Sequence, residues 1–207
     1  YNASFGYSSS HGTQKGDDMT QFTSRLNVNT QFTKSLSITF NLSGSFSDKK
    51  GYGPGVNPQS YANQTSRAIP VYDENGKRVF YKRYYEYQLN RSGQLEYGYN
   101  ILNEMENSYS KNNSKNFNVS INADWSITDW LKYQFVGSIA YSTNNSESFA
   151  GEKTSYIERN YRGYAYGTEP SGSARFNAAL LPFGGELATN VINNTSYNMQ
   201  HKVVFSR

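Results

Sequence analysis

Side chains that could carry out catalysis are few and widely separated in this chain of 207 residues. It has two histidines, His11 and His201, and no cysteine. Neither the HExxH pattern of zinc peptidases nor the GxSxG pattern of serine hydrolases occurs. Adjacent carboxylates, at 17–18 and 73–74, fall in polar, turn-like stretches where solvated charge is the ordinary interpretation. We therefore expect that this chain is not an enzyme and that it binds no metal and no cofactor.

Tyrosine is the side chain in this sequence best suited to binding. The chain has 19 tyrosines and 12 phenylalanines, and two tyrosine-rich stretches lie at 80–87 and 156–166. A tyrosine ring offers a large, rigid, amphipathic surface that stacks on sugar faces or anchors a protein interface at low entropic cost. The candidates for contact with a ligand or partner are Tyr81, Tyr84, Tyr85, Tyr87, Tyr161 and Tyr164. The alternative is that these rings pack each stretch against itself.

The segments on either side of these stretches show a strict alternation of apolar and polar residues. At 36–46 every even position is apolar or glycine, whereas the odd positions of 37–47 are all serine, threonine or asparagine. A period of two places successive side chains on opposite faces of a β-strand. The segment is therefore predicted to be a strand with one apolar and one polar face.

The same pattern predicts six strands, at 1–9, 20–32, 36–47, 116–127, 131–142 and 195–206. The central ones are about 11 residues long, which exceeds the usual globular strand of about 5–6 residues and matches a tilted membrane-spanning strand of about 9–11. Phe22, Phe32 and Phe46 stand at the ends of the apolar faces, where an interfacial aromatic girdle requires them. Length and aromatic placement thus favour strands that cross a membrane.

The predicted connections alternate between very short and very long. Tight turns follow the second and fourth strands, whereas long external loops are expected at 48–115 and 143–194. Outer-membrane barrels have short periplasmic turns and long extracellular loops, and a structureless loop of this size is unusual in a compact soluble domain. The predicted fold class is all-β, an antiparallel up-and-down transmembrane β-barrel segment. Its six strands belong to a larger barrel, because such barrels have at least about eight.

In a barrel of this kind the polar face of each strand is turned toward the lumen. That face is predicted to contain Arg25, Asn27, Asn29 and Asp124, so we expect these residues to line the passage or to contact whatever fills it. The formal charge of +4 is spread along the chain, whereas nucleic-acid binding needs a clustered basic surface. We therefore expect no nucleic-acid partner.

Two other classes stay open at this point. An antiparallel sheet of a soluble or surface-exposed β-sandwich that binds glycans also alternates, and an outer-membrane barrel without active transport has the same strands. A mean hydropathy of −0.78 does not separate them, because half of every barrel strand faces a polar lumen. No apolar run approaches the roughly 18 residues of a membrane-spanning helix.

The chain resembles part of the barrel of the SusC/RagA-type TonB-dependent outer-membrane transporters of Bacteroidetes. The resemblance is carried by the segments at 1–7, 22–29, 32–36, 43–47 and 68–76, together with the second hairpin ending at Trp130 and Leu131. It spans most of the chain and consists of strand and turn patterns without a catalytic signature.

The resemblance implies active import of oligosaccharides or peptides across the outer membrane of a Gram-negative bacterium. Members of this family have a barrel of about 22 strands filled by an N-terminal plug. The implied partners are a SusD-like surface lipoprotein that covers the external loops, the TonB complex, and outer-membrane lipid. Residues 1–207 would form part of one barrel domain, and we expect the plug and the TonB box to lie outside them.

Overall fold

The computed structural model describes residues 1–86 and 94–206. Side chains are described for all of these residues except 84–86 and 94–96, for which only the backbone is described. Within that part of the chain, eight strands occur: β1 (Asn2–His11), β2 (Asp18–Thr33), β3 (Leu36–Gly51), β4 (Tyr81–Glu86), β5 (Gln94–Tyr99), β6 (Ser108–Thr128), β7 (Leu131–Ala150) and β8 (Glu186–Phe205). Six of them form one sheet in the order β1-β2-β3-β6-β7-β8, and β4 and β5 form a second, smaller one. The predicted antiparallel, up-and-down arrangement of six long strands is therefore confirmed.

Strand pairing brings residues of the same parity into rows across the large sheet. The central apolar row consists of Leu26, Leu42, Val119, Ile139 and Tyr197, each directly opposite the next. The adjacent polar row contains Asn27, Asn41, Ser120, Ser138 and Asn198. Because a shift of one residue would mix the two rows, the alternation fixes the register of all five pairings. The sheet therefore has an apolar face, which contains Leu42, and a polar face, which contains Asn41.

The strands are longer than the sequence pattern predicts, and the predicted loop boundaries are wrong. β3 continues to Gly51, β6 begins at Ser108, and β7 and β8 meet across Ala150 and Glu186. The first long connection therefore spans 52–107 and the second 151–185, instead of 48–115 and 143–194. The reason is that polar residues interrupt the alternation in these extensions, on both faces at 48–51 and on at least part of each face elsewhere, although the backbone ladder continues. We call the two connections the first and the second insert.

Both inserts have secondary structure of their own. The first contains α1 (Pro58–Gln64), the β4–β5 hairpin and α2 (Ile101–Asn107). The second contains α3 (Ser155–Ile157), which continues directly into a π-helical turn (Glu158–Arg162), and then α4 (Ala174–Ala178). Asparagine caps α1 and α2, since the side-chain oxygens of Asn57 and Asn100 accept hydrogen bonds from backbone N–H groups of the first turn. No helix in the described residues is long and apolar enough to cross a membrane.

The buried residues of the described part of the chain lie mostly in the inserts. Val56, Tyr97, Tyr99 and Ile101 form a small core within the first insert. The large sheet, by contrast, contributes few buried side chains, because no other element of the described chain covers either of its faces. Side-chain packing therefore stabilises the inserts, whereas backbone pairing between strands stabilises the large sheet.

Candidate functional site

The apolar face of the large sheet is uncovered, with its side chains mostly half-buried on β3 and most exposed on the edge strands β1 and β8. Ile139 is 53% exposed, Met199 is 71% exposed and Tyr197 is 76% exposed, and no described residue covers them. His201 lies on this face opposite Phe135, and its Nδ1 is 2.5 Å from the Tyr133 hydroxyl. The pairing of β7 with β8 continues through His201 without a register shift, and the Nδ1 atom of His201 has its hydrogen-bond partner within the same face.

Aromatic rings border this face at both ends. Toward the inserts, Tyr7, Phe22 and Phe46 stand opposite one another in a single row. Toward the short turns, Trp125 stands opposite Tyr133, and the rings of Trp130 and Phe205 stack with centroids 6.2 Å apart. We call the part of the apolar face between these aromatic rows the apolar band.

Charged side chains are confined to one end of the apolar face. Among the described strands, its Asp, Glu, Lys and Arg residues are Asp18, Asp48, Lys50, Lys111, Lys115 and Glu147. All of them lie at or beyond the row of Phe46, on the side of the inserts. The apolar band below that row thus contains no formally charged residue over six strands.

The polar face contains all four residues that the sequence predicts to face a lumen. Asn27 donates a hydrogen bond to Asn41, and Asn29 Nδ2 donates to Thr39 Oγ1 at 2.9 Å. Gln134 Nε2 donates to Asp124 Oδ1 at 2.7 Å. The structure therefore brings these side chains onto one surface, where amides and hydroxyls form hydrogen bonds from strand to strand. That this surface encloses a lumen stays a prediction.

Arg25 stands at mid-height on the polar face among short neighbours. It lies opposite Ser4 and Ser43, in a shallow depression that Asn2 and Asn41 also line. No ion pair or hydrogen bond joins its guanidinium to another described residue. Arg25 thus presents an unpaired cation, within the described residues, that is surrounded by short hydrogen-bonding side chains.

Tyr81 belongs to an aromatic cluster in the first insert. Its ring lies 5.7 Å from that of Tyr99 and 6.3 Å from that of Tyr61, and the Arg83 guanidinium lies 4.2 Å from the centre of the Tyr99 ring. Burial raises the pKa of Tyr99. The Tyr81 hydroxyl is buried and has no hydrogen-bond partner among the described residues. The rings of this cluster pack against one another, as the alternative interpretation of this stretch expects.

The other tyrosine candidates differ in solvent exposure and in whether the structure describes their side chains. Tyr164 is 6% exposed and packs inside the second insert. Tyr161 is partly buried and donates a hydrogen bond to Glu186, which raises the Tyr161 pKa to about 12. Tyr84 and Tyr85 lie in β4, with their side chains outside the described part, and Tyr87 lies outside the described residues altogether. Ligand contact by these residues stays a prediction.

A buried polar network joins the two inserts, and sequence reasoning missed it. Glu104 is fully buried, and both of its carboxylate oxygens accept from the backbone N–H of Ser155. Asn103 Nδ2 donates to the carbonyl oxygen of Lys153 at 2.9 Å. The residues are about fifty positions apart, so no local pattern indicates the contact. The inserts consequently form one packed unit above the sheet.

Two charged residues of the π-helical turn extend this network. Glu158 is 5% exposed and Arg162 is 4% exposed. Burial raises the pKa of Glu158 to about 7, with Arg162 opposing the shift and Glu104 adding to it. The Arg162 guanidinium donates to the carbonyl oxygens of Glu152 and Tyr164, at 2.6 Å and 3.1 Å. A hidden carboxylate that titrates near neutral pH therefore sits where the inserts meet.

In the described residues, no three histidines or carboxylates converge. No known protein-family model matches the chain, and no curated protein matches it.

Proposed function

We propose that this chain forms part of the wall of an outer-membrane β-barrel through which oligosaccharides or peptides are imported. The observation that carries the proposal is the apolar band, which is uncharged across six strands, bordered by aromatic rings and exposed. Lipid is the solvent that suits such a surface. In water, an exposed apolar face of this size would associate with itself or with another sheet.

The dimensions of the band agree with a bilayer. Ten residue steps separate Leu36 from Phe46 in β3, which correspond to about 33 Å at roughly 3.3 Å per residue. A strand tilted by about 40° would cover about 25 Å of membrane thickness, which is the height of the apolar band in outer-membrane barrels. The inserts then lie on the external side and the two short turns on the periplasmic side.

Import is supported by the chemistry of the polar face. Its amide and hydroxyl groups match the hydrogen-bonding groups of sugars and peptides, and Arg25 adds one cation that no described residue neutralises. The resemblance to SusC/RagA-type transporters adds energy coupling through the TonB complex and a SusD-like lipoprotein seated on the inserts. These partners belong to the proposal on the strength of that resemblance alone.

Cell fractionation and electrophoresis of the intact protein test the proposal. We expect the protein in the outer membrane, soluble only in detergent, and with a gel mobility that changes on boiling because a closed barrel resists unfolding by detergent. Deletion of its gene should then abolish growth on one class of oligosaccharide or peptide. A detergent-independent soluble protein would instead favour the glycan-binding β-sandwich, and an unaltered growth profile would favour a barrel without active transport.

A further inference from the structure

Arg25 is the only charged residue in the middle of the polar face, as far as the strands are described. Its row across the sheet contains Ser4, Arg25, Ser43, Asn118, Ala140 and Ser196. The two rows on the insert side contain Thr23 and Gln21, and the two rows on the side of the short turns contain Asn27 and Asn29. All other residues of these rows are uncharged as well. This area therefore has one positive charge and no negative charge.

The nearest carboxylate on the same face is too distant to neutralise Arg25. Within the described strands it belongs to Asp124, which lies six residues along β6 from Asn118 in the Arg25 row, or about 20 Å along the strand. Charges are screened over about 8 Å at physiological salt. Asp124 also accepts a hydrogen bond from Gln134. The described part of the chain thus supplies no counterion for Arg25.

Two shallow depressions of the polar face meet at Arg25. One has a volume of about 450 Å³ and extends to Ser4 in β1. The other has a volume of about 270 Å³ and extends to Ala140 in β7. Arg25 and Ser43 line both. Because most residues of this row are serine or alanine, the long and exposed Arg25 side chain stands beside space that a solute can enter.

The amides beside these depressions are engaged with their neighbours. Asn41 accepts a hydrogen bond from Asn27, and its Nδ2 donates to Ser120 Oγ at 3.1 Å. Asn116 Nδ2 donates to a serine hydroxyl of β3 at 3.2 Å. The Arg25 guanidinium, by contrast, has no acceptor among the described residues for its N–H groups. It is therefore the strongest donor that this surface offers to a solute.

We propose that Arg25 binds a carboxylate of the imported solute, supplied by an acidic sugar or by a peptide. This inference rests on the proposed import function, since the polar face must line the passage. The planar guanidinium fork matches a carboxylate through two parallel hydrogen bonds, and carboxylate is an anion that both proposed classes of solute can have. A cleft with low-dielectric walls also focuses the field of such a charge and raises the local concentration of anions.

Isothermal titration calorimetry of the intact, detergent-purified protein tests this site. The sugar probes are oligogalacturonate and its neutral methyl ester, and the peptide probes are oligoalanine with a free carboxyl terminus and with an amidated one. The variants are Arg25→Gln and Arg25→Lys. The matched control is Lys132→Gln on the same face, since Lys132 lies eight residues along β7 from Ala140 in the Arg25 row, or about 26 Å away.

We expect Arg25→Gln to bind the acidic probe about 10- to 100-fold more weakly than the unmodified protein, which is the range for hydrogen bonds from a charged donor. Arg25→Lys keeps the charge without the fork and should show an intermediate loss. Lys132→Gln should bind as the unmodified protein does, and the neutral probes should not distinguish the variants. The acidic probe that shows the loss identifies the source of the carboxylate.

Three results would overturn the inference. One is equal binding of acidic and neutral probes by the unmodified protein, and another is no binding of either acidic probe. The third is a lower melting temperature of Arg25→Gln with unchanged binding, which would pair Arg25 with a carboxylate of the protein itself.

Fractionation of the same cells separates this inference from the function on which it rests. If the protein lies in the outer membrane and Arg25→Gln binds all probes as the unmodified protein does, the import proposal stands and the carboxylate site is wrong. If the protein is absent from the outer membrane, the import proposal fails, and the role of Arg25 in import fails with it.

Discussion

Both carboxylate oxygens of Glu104 lie 3.0 Å from the backbone nitrogen of Ser155, which belongs to the other insert. The contact joins α2, which contains Glu104, to Ser155 at the start of α3, across 51 positions of sequence. A connection that sequence periodicity identifies only as a long loop is therefore part of a packed unit with a defined internal contact.

Glu104→Ala should weaken the contact between the two inserts. The substitution leaves the Ser155 N–H buried without its acceptor and leaves a cavity, at a combined cost of roughly 3 kcal/mol. Hydrogen exchange of the Ser155 amide measures this directly as a loss of protection. The matched control is Glu106→Ala in the same helix, because Glu106 is 60% exposed in its ion pair with Arg78 and should change protection by less than about 1 kcal/mol. An equal loss of Ser155 amide protection in both variants would contradict the conclusion that Glu104 holds the two inserts together.

The insert unit should be less stable at neutral than at mildly acidic pH. The folded-state pKa of Glu158, about 7, is above its ordinary value of 4.5, because burial disfavours the carboxylate. The folded state therefore binds a proton more tightly than the unfolded state, and stability falls as pH rises from 4.5 to 7. The expected loss is roughly 3 kcal/mol.

Opening free energies from hydrogen exchange of the amides at 155–163, measured across that pH window, check this expectation. Glu158→Gln should remove most of the slope, and the remainder belongs to Glu104, whose pKa burial also raises. A slope of the opposite sign in the unmodified protein would show that Glu158 is ionised and stabilised in place.

Gly53 is required by a close approach between the start of the first insert and β6. A Cβ at this position would lie 2.4 Å from the Ser108 Cβ, which is far inside van der Waals contact. Gly53→Ala should therefore cost about 1–3 kcal/mol through displacement of the backbone. Gly51→Ala is the control, since nothing lies within 4 Å of a Cβ there. Denaturant unfolding of both variants, followed through the inserts, should separate them clearly.

A charge placed on the two faces of β3 should have unequal effects. Phe40 lies at the centre of the apolar band and Asn41, the next residue, lies on the polar face. Phe40→Arg should destabilise the protein by about 2–4 kcal/mol in a bilayer, whereas Asn41→Arg should be tolerated because that face meets water. The measurement is reversible unfolding in lipid vesicles. Equal costs at the two positions would contradict the assignment of faces.

Sequence alone predicts the parts of the fold in which one face is apolar and the other polar. In β3, positions 36–46 alternate strictly, and pairing of Phe40 with Val28 and Ile121 follows from matching that pattern across strands. Beyond Ser47 both faces of the strand are polar, so the period disappears although hydrogen bonding continues to Gly51. The sequence pattern therefore ends before the strand does, at the point where the residue types of the two faces stop differing.

The candidate site divides in the same way. Parity alone places Arg25 and Asp124 on one face, because strand geometry gives a side chain only two directions. Parity gives no information about Glu104, Glu158 and Arg162, whose burial depends on contacts between segments distant in sequence. A charged residue also looks solvated in sequence unless its partner is known, so the network between the inserts was not predicted.

Site-directed spin labelling of β3 tests the central claim most directly, because the described chain has no cysteine of its own. Single cysteines at 36–47, labelled with a nitroxide in the bilayer-reconstituted protein, report collision with oxygen, which concentrates in lipid, and with a water-soluble nickel chelate. The proposed orientation predicts a period of two, with even positions accessible to oxygen and odd positions accessible to nickel. Even positions that are accessible to neither reagent, or to nickel as readily as the odd ones, would show that the apolar face does not meet lipid.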